Sequence, residues 1–266
     1  MPIIPEYQPR NLSKTEFDER DAVVMACAYA SQNQLGRLCD EHNYEKDVAA
    51  RLRAAGFGNV HTQVPIQLTH GAFRKEYRID LLADDAMYEL KAVAALRPEH
   101  DVQALNYAMM LDVSHSKLIN FREERVKGLL RFNAISAADR YGFVMDDTAW
   151  LPHQSECVKI RELVTSILED WGAYLDFRLY EQAIIFHLGG DEKIVDQTQI
   201  SRDGIDLGAM RFTRYSDYTC FTITGHAECE LQRSHLMRRL QLSPYRTMQW
   251  INFRHRNITC ETLVKN

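Results

Sequence analysis

Asp80 and Glu89 stand nine residues apart, and Lys91 follows two residues after Glu89, in the run Tyr77-Arg-Ile-Asp-Leu-Leu-Ala-Asp-Asp-Ala-Met-Tyr-Glu-Leu-Lys91. The run reads as two short strands joined by a tight turn. If Asp84 and Asp85 form a two-residue hairpin loop, the register follows, and Asp80 lies directly opposite Glu89. Facing residues have Cβ atoms about 4.5–5.5 Å apart, and two like charges at that distance destabilise the pair. Lys91 points to the same face as Glu89, because strand side chains alternate. A divalent cation between the two carboxylates is the simplest explanation of the arrangement.

The elements around this run must hold it in place. Prolines at 2, 5 and 9 make residues 1–12 an irregular lead-in. Ser13 can cap a helix whose first turn carries Glu16, and Gly36 ends that helix. A second helix runs from about Asp40 to Ala55, with Glu41 at its start and Tyr44, Val48, Ala49 and Leu52 at helical spacing. Val60 to Leu68 reads as a strand, and His70-Gly71 as a turn. The hairpin strands are Tyr77–Leu82 and Met87–Val93. Pro98 opens a third helix, about Glu99 to Leu111, that carries Gln103 and Tyr107 four residues apart on one face. Lys117 to Phe121 is a further strand. The order helix, helix, three strands, helix, strand predicts an α/β fold.

Together these residues resemble the PD-(D/E)XK nuclease superfamily, and within it the GxxExxY family. Leu35-Gly36 followed by Glu41-x-x-Tyr44, Arg78-Ile-Asp80, Glu89-Leu-Lys91-Ala, and His100-x-x-Gln103-x-x-x-Tyr107 before Leu-Ile-Asn-Phe121 carry the likeness. Gln103-x-x-x-Tyr107 is also similar to the corresponding motif of RecB-like nucleases. Two positions depart from the pattern. Leu38 stands where a second glycine is usual, and Gln32 stands where a histidine is common. The resemblance implies a restriction-endonuclease-like core, a mixed sheet flanked by helices. It implies that Asp80, Glu89 and the Leu90 carbonyl bind Mg²⁺ or Mn²⁺, with Glu41 as a further ligand or reached through water. Lys91 would orient the attacking water or bind the phosphate, and Gln103 and Tyr107 would position the substrate backbone or Lys91.

The 266 residues suffice for two such units. Tyr44, Gly56, Gln63 and the Leu-Ile-Asn-Phe run ending at Phe121 are echoed by Tyr180, Gly189, Gln197 and the Trp-Ile-Asn-Phe run ending at Phe253, in the same order and at offsets between 132 and 136. Residues 1–135 are therefore expected to form the nuclease-like domain. Residues 136–266 are expected to form a degenerate repeat of it, without the acidic site. The positions matching Asp80, Glu89 and Lys91 fall near Thr213, Phe221 and Ile223, or one residue later.

Net charge is −5, which does not favour non-specific nucleic-acid binding by the whole molecule. Leu231 to Cys260, however, has no Asp or Glu and carries Arg233, Arg238, Arg239, Arg246, Arg254 and Arg256. It reads either as a solvated face or as a phosphate-contacting platform. Six scattered cysteines without a C-x-x-C pair argue against a zinc ribbon or a disulfide framework and suit a reducing cytoplasm. No apolar run is long enough to span a bilayer, and no signal peptide is evident. The expected function is metal-dependent hydrolysis of phosphodiester bonds, with DNA ahead of RNA as partner. The alternative is a non-catalytic nucleic-acid-binding or protein-interaction module that kept the nuclease fold, favoured by the acidic charge and by Gln32.

Overall fold

The computed structural model describes residues 2–151 and 155–265. Two compact units emerge, one of Met1–Thr69 with Arg74–Ala138, the other of His70–Phe73 with Asp139–Asn266.

In the first unit the chain runs β1 (Ile3–Pro5), α1 (Lys14–Leu35), α2 (Glu41–Ala54), β2 (Val60–His70), β3 (Phe73–Ala83), β4 (Ala86–Lys91), α3 (Pro98–Met110), β5 (His115–Asn120) and β6 (Lys127–Phe132). Ser13 and Glu16 form a reciprocal capping box at the start of α1, and Gly36 ends it at φ 76°, a left-handed value open to glycine. The six strands form one mixed sheet in the order β1-β2-β3-β4-β5-β6. Strands β4 and β5 are parallel, joined by the α3 crossover, and β3–β4 and β5–β6 are antiparallel. Asp84 and Asp85 have φ of 44° and 72°. Positive φ at both central residues gives the turn twist that suits a two-residue hairpin. The ladder pairs Ala83 with Ala86 and Leu81 with Tyr88, so Asp80 comes next and faces Glu89, as the turn predicts. Strands β1 and β6 were not foreseen in the sequence. β1 is three residues long, and β6 has no clean alternation of buried and exposed positions.

Phe17, Val24 and Ala28 of α1 pack with Tyr44, Val48 and Leu52 of α2 against Leu81, Tyr88, Leu90 and Ile119 of the sheet. Tyr44 stacks on Phe121 with ring centroids 4.3 Å apart, and its hydroxyl donates to the Gly36 carbonyl at 2.6 Å. This pins the start of α2, hence Glu41, to the exit of β5. Asn120 clamps the strand that leaves the site: it accepts from the Val93 N–H at 3.1 Å and donates to the Val93 carbonyl at 2.8 Å.

The chain continues with α4 (Ala137–Tyr141), β7 (Val144–Ala149), α5 (Ser155–Trp171), α6 (Phe177–Leu188), α7 (Asp191–Ile194), β8 (Val195–Arg202), β9 (Ile205–Arg214), β10 (Thr219–Thr224), α8 (Cys229–Leu242), β11 (Thr247–Arg254) and β12 (Asn257–Val264). The sheet order is β7-β12-β11-β10-β9-β8. Strands β9 to β12 with α8 repeat the pairing sense of β3 to β6 with α3, including the parallel pair β10–β11. The edge strands differ. β1 lies antiparallel beside β2, whereas β7 lies parallel beside β12. Tyr180 stacks on Phe253 at 4.4 Å and donates to the Gly172 carbonyl at 2.6 Å. Asn252 accepts from the His226 N–H and donates to the His226 carbonyl, both at 2.9 Å.

Phe121→Ala and Phe253→Ala each remove the partner of a buried tyrosine. Each is expected to cost about 3–5 kcal/mol in its own unit, read as a lowered denaturant midpoint with hydrogen-exchange protection lost in that unit. A loss below about 1 kcal/mol in either would mean that the stack does not hold the helix pair to the sheet.

Candidate active site

Residues Asp80, Glu89, Lys91 and Glu41 meet at the C-terminal end of β4. The Lys91 ammonium donates to the Leu90 carbonyl at 2.7 Å and lies 3.3 Å from Asp80 Oδ2, 3.5 Å from Glu89 Oε2 and 3.6 Å from Glu41 Oε1. The two carboxylate oxygens facing Lys91 are therefore within 6.8 Å of each other, the sum of their distances to it. Asp80 Oδ2 also accepts the Leu90 N–H at 2.8 Å, so its side chain replaces a ladder bond and fixes the carboxylate. Glu89 is fully buried, and its Oε1 has no hydrogen-bond partner.

Burial, reinforced by the charge of Asp80, pushes the Glu89 carboxyl well above the usual carboxylate range, with Lys91 opposing. Burial also raises Glu41. For Lys91, burial pulls the pKa down, but the charges of Glu89, Asp80 and Glu41 outweigh it and the net direction is up. The ammonium thus keeps its proton at neutral pH.

A hard divalent cation fits this donor set. It would take up the orphaned Glu89 oxygen and relieve the repulsion between the carboxylates. Among the described residues, no three His, Cys, Asp or Glu side chains gather closely enough to enclose an ion by themselves. Two carboxylates converge on Lys91, and Glu41 joins them through its ammonium at 3.6 Å. The Leu90 carbonyl, expected as a ligand, is here the acceptor of Lys91.

Gln103 donates to the Tyr107 hydroxyl at 3.1 Å, and Tyr107 is pushed up to about 12 by burial and by the charge of Glu89. Among the described residues, neither side chain hydrogen-bonds to Lys91 or to the carboxylates. Gln32 has its own task. It donates to the carbonyls of Phe121 at 2.8 Å and Glu123 at 3.0 Å and accepts from the Val126 N–H at 3.1 Å, tying the β5–β6 connection to α1.

Two site neighbours escaped the sequence reading. Glu45 is buried one turn beyond Glu41, and Gln63 donates to it and lies 3.4 Å from Asp80 Oδ1. The i, i+4 spacing of Glu41 and Glu45 was the available signal. Gln63 sits at φ 53° within β2, a strained value that no spacing reveals.

In the second unit, the ladder puts Phe212, Thr222 and Thr224 where the first has Asp80, Glu89 and Lys91, with Thr224 opposite Asn252 as Lys91 is opposite Asn120. This is one residue later than Phe221 and Ile223, and one earlier than Thr213. The arginine run is partly committed elsewhere. Arg233 pairs with Glu261 at 2.6 Å. Arg239 is half-buried over the Phe212 ring, donates to the Arg211 carbonyl, and has a pKa lowered by burial. Arg246 lies over Tyr218. Arg238, Arg254 and Arg256 are exposed, the last two flanking the β11–β12 turn.

Residues 18–132 match the family model of the PD-(D/E)XK nuclease superfamily. The match runs from α1 to β6 and contains Asp80, Glu89 and Lys91. The mixed six-stranded sheet with its helices is consistent with a PD-(D/E)XK-like core, and residues 139–266 lie outside the match. The searches of curated proteins and of solved structures returned no match. Among the described residues no helix is long and apolar enough to cross a membrane, and all six cysteines are free thiols.

The raised Glu89 pKa has a consequence for stability. The native state holds a proton that the unfolded state releases near pH 4.5, so the metal-free protein loses stability as pH rises from about 4.5 through the raised pKa. In chelator, Glu89→Gln is expected to melt higher than the native chain at pH 8, with the gap closing toward pH 5. Equal melting temperatures at pH 8 would contradict a buried, strained Glu89.

Proposed function

We propose that the first unit is a metal-dependent nuclease that hydrolyses phosphodiester bonds of nucleic acid, and that residues 136–266 are a diverged copy of the same core without the site. The observation that carries the reading is the buried Asp80–Glu89 pair, with an unpartnered Glu89 oxygen beside Lys91, inside the segment that matches the nuclease model.

Asp80 and Glu89 would hold one Mg²⁺ or Mn²⁺, a hard cation suited to carboxylate oxygens. When bound, the ion lowers the pKa of a coordinated water and offsets negative charge on the scissile phosphate. The Leu90 N–H keeps the Asp80 carboxylate from turning away. Lys91 stays protonated, so its part is to stabilise the charge that develops on the phosphate rather than to accept a proton from water. Glu41 holds the ammonium from the α2 side. The Tyr107 hydroxyl, protonated and bonded to Gln103, is a donor near the same charges. Arg238, Arg254 and Arg256 serve as backbone contacts, which position nucleic acid without reading its sequence. DNA is the favoured substrate.

The internal copy is supported by the repeated strand order and by the equivalent bonds of Tyr44 and Tyr180 and of Asn120 and Asn252. It supplies a control within the chain. With Mg²⁺ or Mn²⁺, the native protein is expected to cleave labelled DNA. Asp80→Asn, Glu89→Gln and Lys91→Ala should each lower the rate by about 10²-fold or more. Thr222→Ala and Thr224→Val should leave it unchanged. No cleavage of single- or double-stranded DNA or RNA with either metal would overturn the enzymatic reading.

A further inference from the structure

Beside the carboxylates, the first unit contains a cavity of about 700 Å³ along β2, lined by Tyr7, His61, Gln63, Gln67, Glu76 and Arg78 among others. Gln63 belongs to both places, since it lines the cavity and lies 3.4 Å from Asp80 Oδ1. Its left-handed φ of 53° takes this one residue out of the regular strand, and Glu45 accepts its amide. Arg78 reaches the Gln63 carbonyl at 3.4 Å from two residues before Asp80. Tyr7 and His61 lie with ring centroids 4.6 Å apart and planes 31° from parallel. The Tyr7 hydroxyl donates to Asp85 at 2.8 Å, which ties this aromatic pair to the turn of the Asp80–Glu89 hairpin. His61 Nε2 is buried with no hydrogen-bond partner.

We propose that this cavity receives one unstacked nucleotide next to the scissile phosphate. The base sits beside the Tyr7–His61 pair, its edge reaches the amides of Gln63 and Gln67, and Arg78 lies on the side of the phosphate. The inference deepens the nuclease reading and rests on it. Four observations converge. The volume is that of a small-ligand site. Aromatic rings beside amides match a base, which offers a π-face to any stacking partner and hydrogen-bonding groups at its edge. The cavity shares a residue with the site of the proposed chemistry. Its carboxylate Glu76 holds Arg78 at 2.5 Å, so the lining suits base edges with one cation beside them, rather than a row of phosphates. A base paired inside a regular duplex cannot enter, so the nucleotide comes either from a single strand or from a duplex in which it has left the stack.

The test is fluorescence-anisotropy binding of the full chain in EDTA, where cleavage is suppressed. The probes are a short single-stranded DNA, the same sequence as a blunt duplex, and the duplex carrying one mismatch. The single strand is expected to bind more tightly than the blunt duplex. His61→Ala and Gln67→Ala are expected to weaken single-strand binding, the former by roughly 5- to 150-fold, as for loss of one stacking partner, and to leave the blunt duplex unaffected. Improved binding of the mismatched duplex assigns the nucleotide to base extrusion, and no improvement assigns it to single strands. Both outcomes support the pocket. Blunt-duplex binding equal to or tighter than single-strand binding, or native affinity in both variants, overturns it. Tyr7→Phe, which keeps the ring and loses the bond to Asp85, separates stacking from hairpin support: native-like binding is expected. If the native chain binds the single strand as described but never cleaves it with Mg²⁺ or Mn²⁺, the nuclease reading fails and the pocket stands. If cleavage occurs but His61→Ala and Gln67→Ala both bind the single strand like the native chain, only the pocket fails.

Discussion

The first unit is organised around a repulsion. Asp80 and Glu89 are like charges on facing positions, Glu89 is wholly buried, and one of its oxygens has no partner. Such a pair is costly unless it is neutralised. Lys91 offsets part of the cost by reaching both carboxylates, and a raised Glu89 pKa offsets more by keeping a proton. The surrounding structure is rigid where it touches this pair. The Leu90 N–H fixes Asp80, Asn120 clamps the chain after Lys91, and the Tyr44–Phe121 stack fixes the start of α2. Strain of this kind persists only where the fold over-determines it.

The second unit offers a contrast. It has the same strand order from β8 to β12, the same asparagine clamp and the same tyrosine stack, but Phe212, Thr222 and Thr224 occupy the three ladder positions. There the hydroxyl of Thr224 donates to Asn252 and accepts from the Trp250 indole, so the position is fully used by neutral bonds. Scaffold and site are thus separable. The clamp and the stack are needed to hold strands and helices in either unit, whereas the buried charges are found in one.

The sequence made the hairpin legible because local chemistry decides it. Asp84-Asp85 tolerates positive φ, a two-residue turn sets the register, and the register places Asp80 against Glu89. Ser13, Gly36 and Pro98 marked helix ends for equally local reasons. What stayed hidden depends on contacts distant in the chain. Gln32 sits where a histidine was looked for, yet its amide holds the connection about ninety residues on, closing a backbone loop. Glu45 and Gln63 meet only after β2 has bent at a non-glycine left-handed residue. Arg239 looked like part of a basic surface, but the Phe212 ring and the Arg211 carbonyl lie under it.

The central claim is that the Asp80–Glu89 pair is the seat of one divalent ion. Calorimetric titration of the metal-free chain with Mn²⁺ measures this directly. The account predicts one ion per chain, bound more tightly as pH rises because Glu89 must release its proton, and lost in Asp80→Ala. Absence of Mn²⁺ binding by the native chain, or undiminished binding by Asp80→Ala, would contradict it.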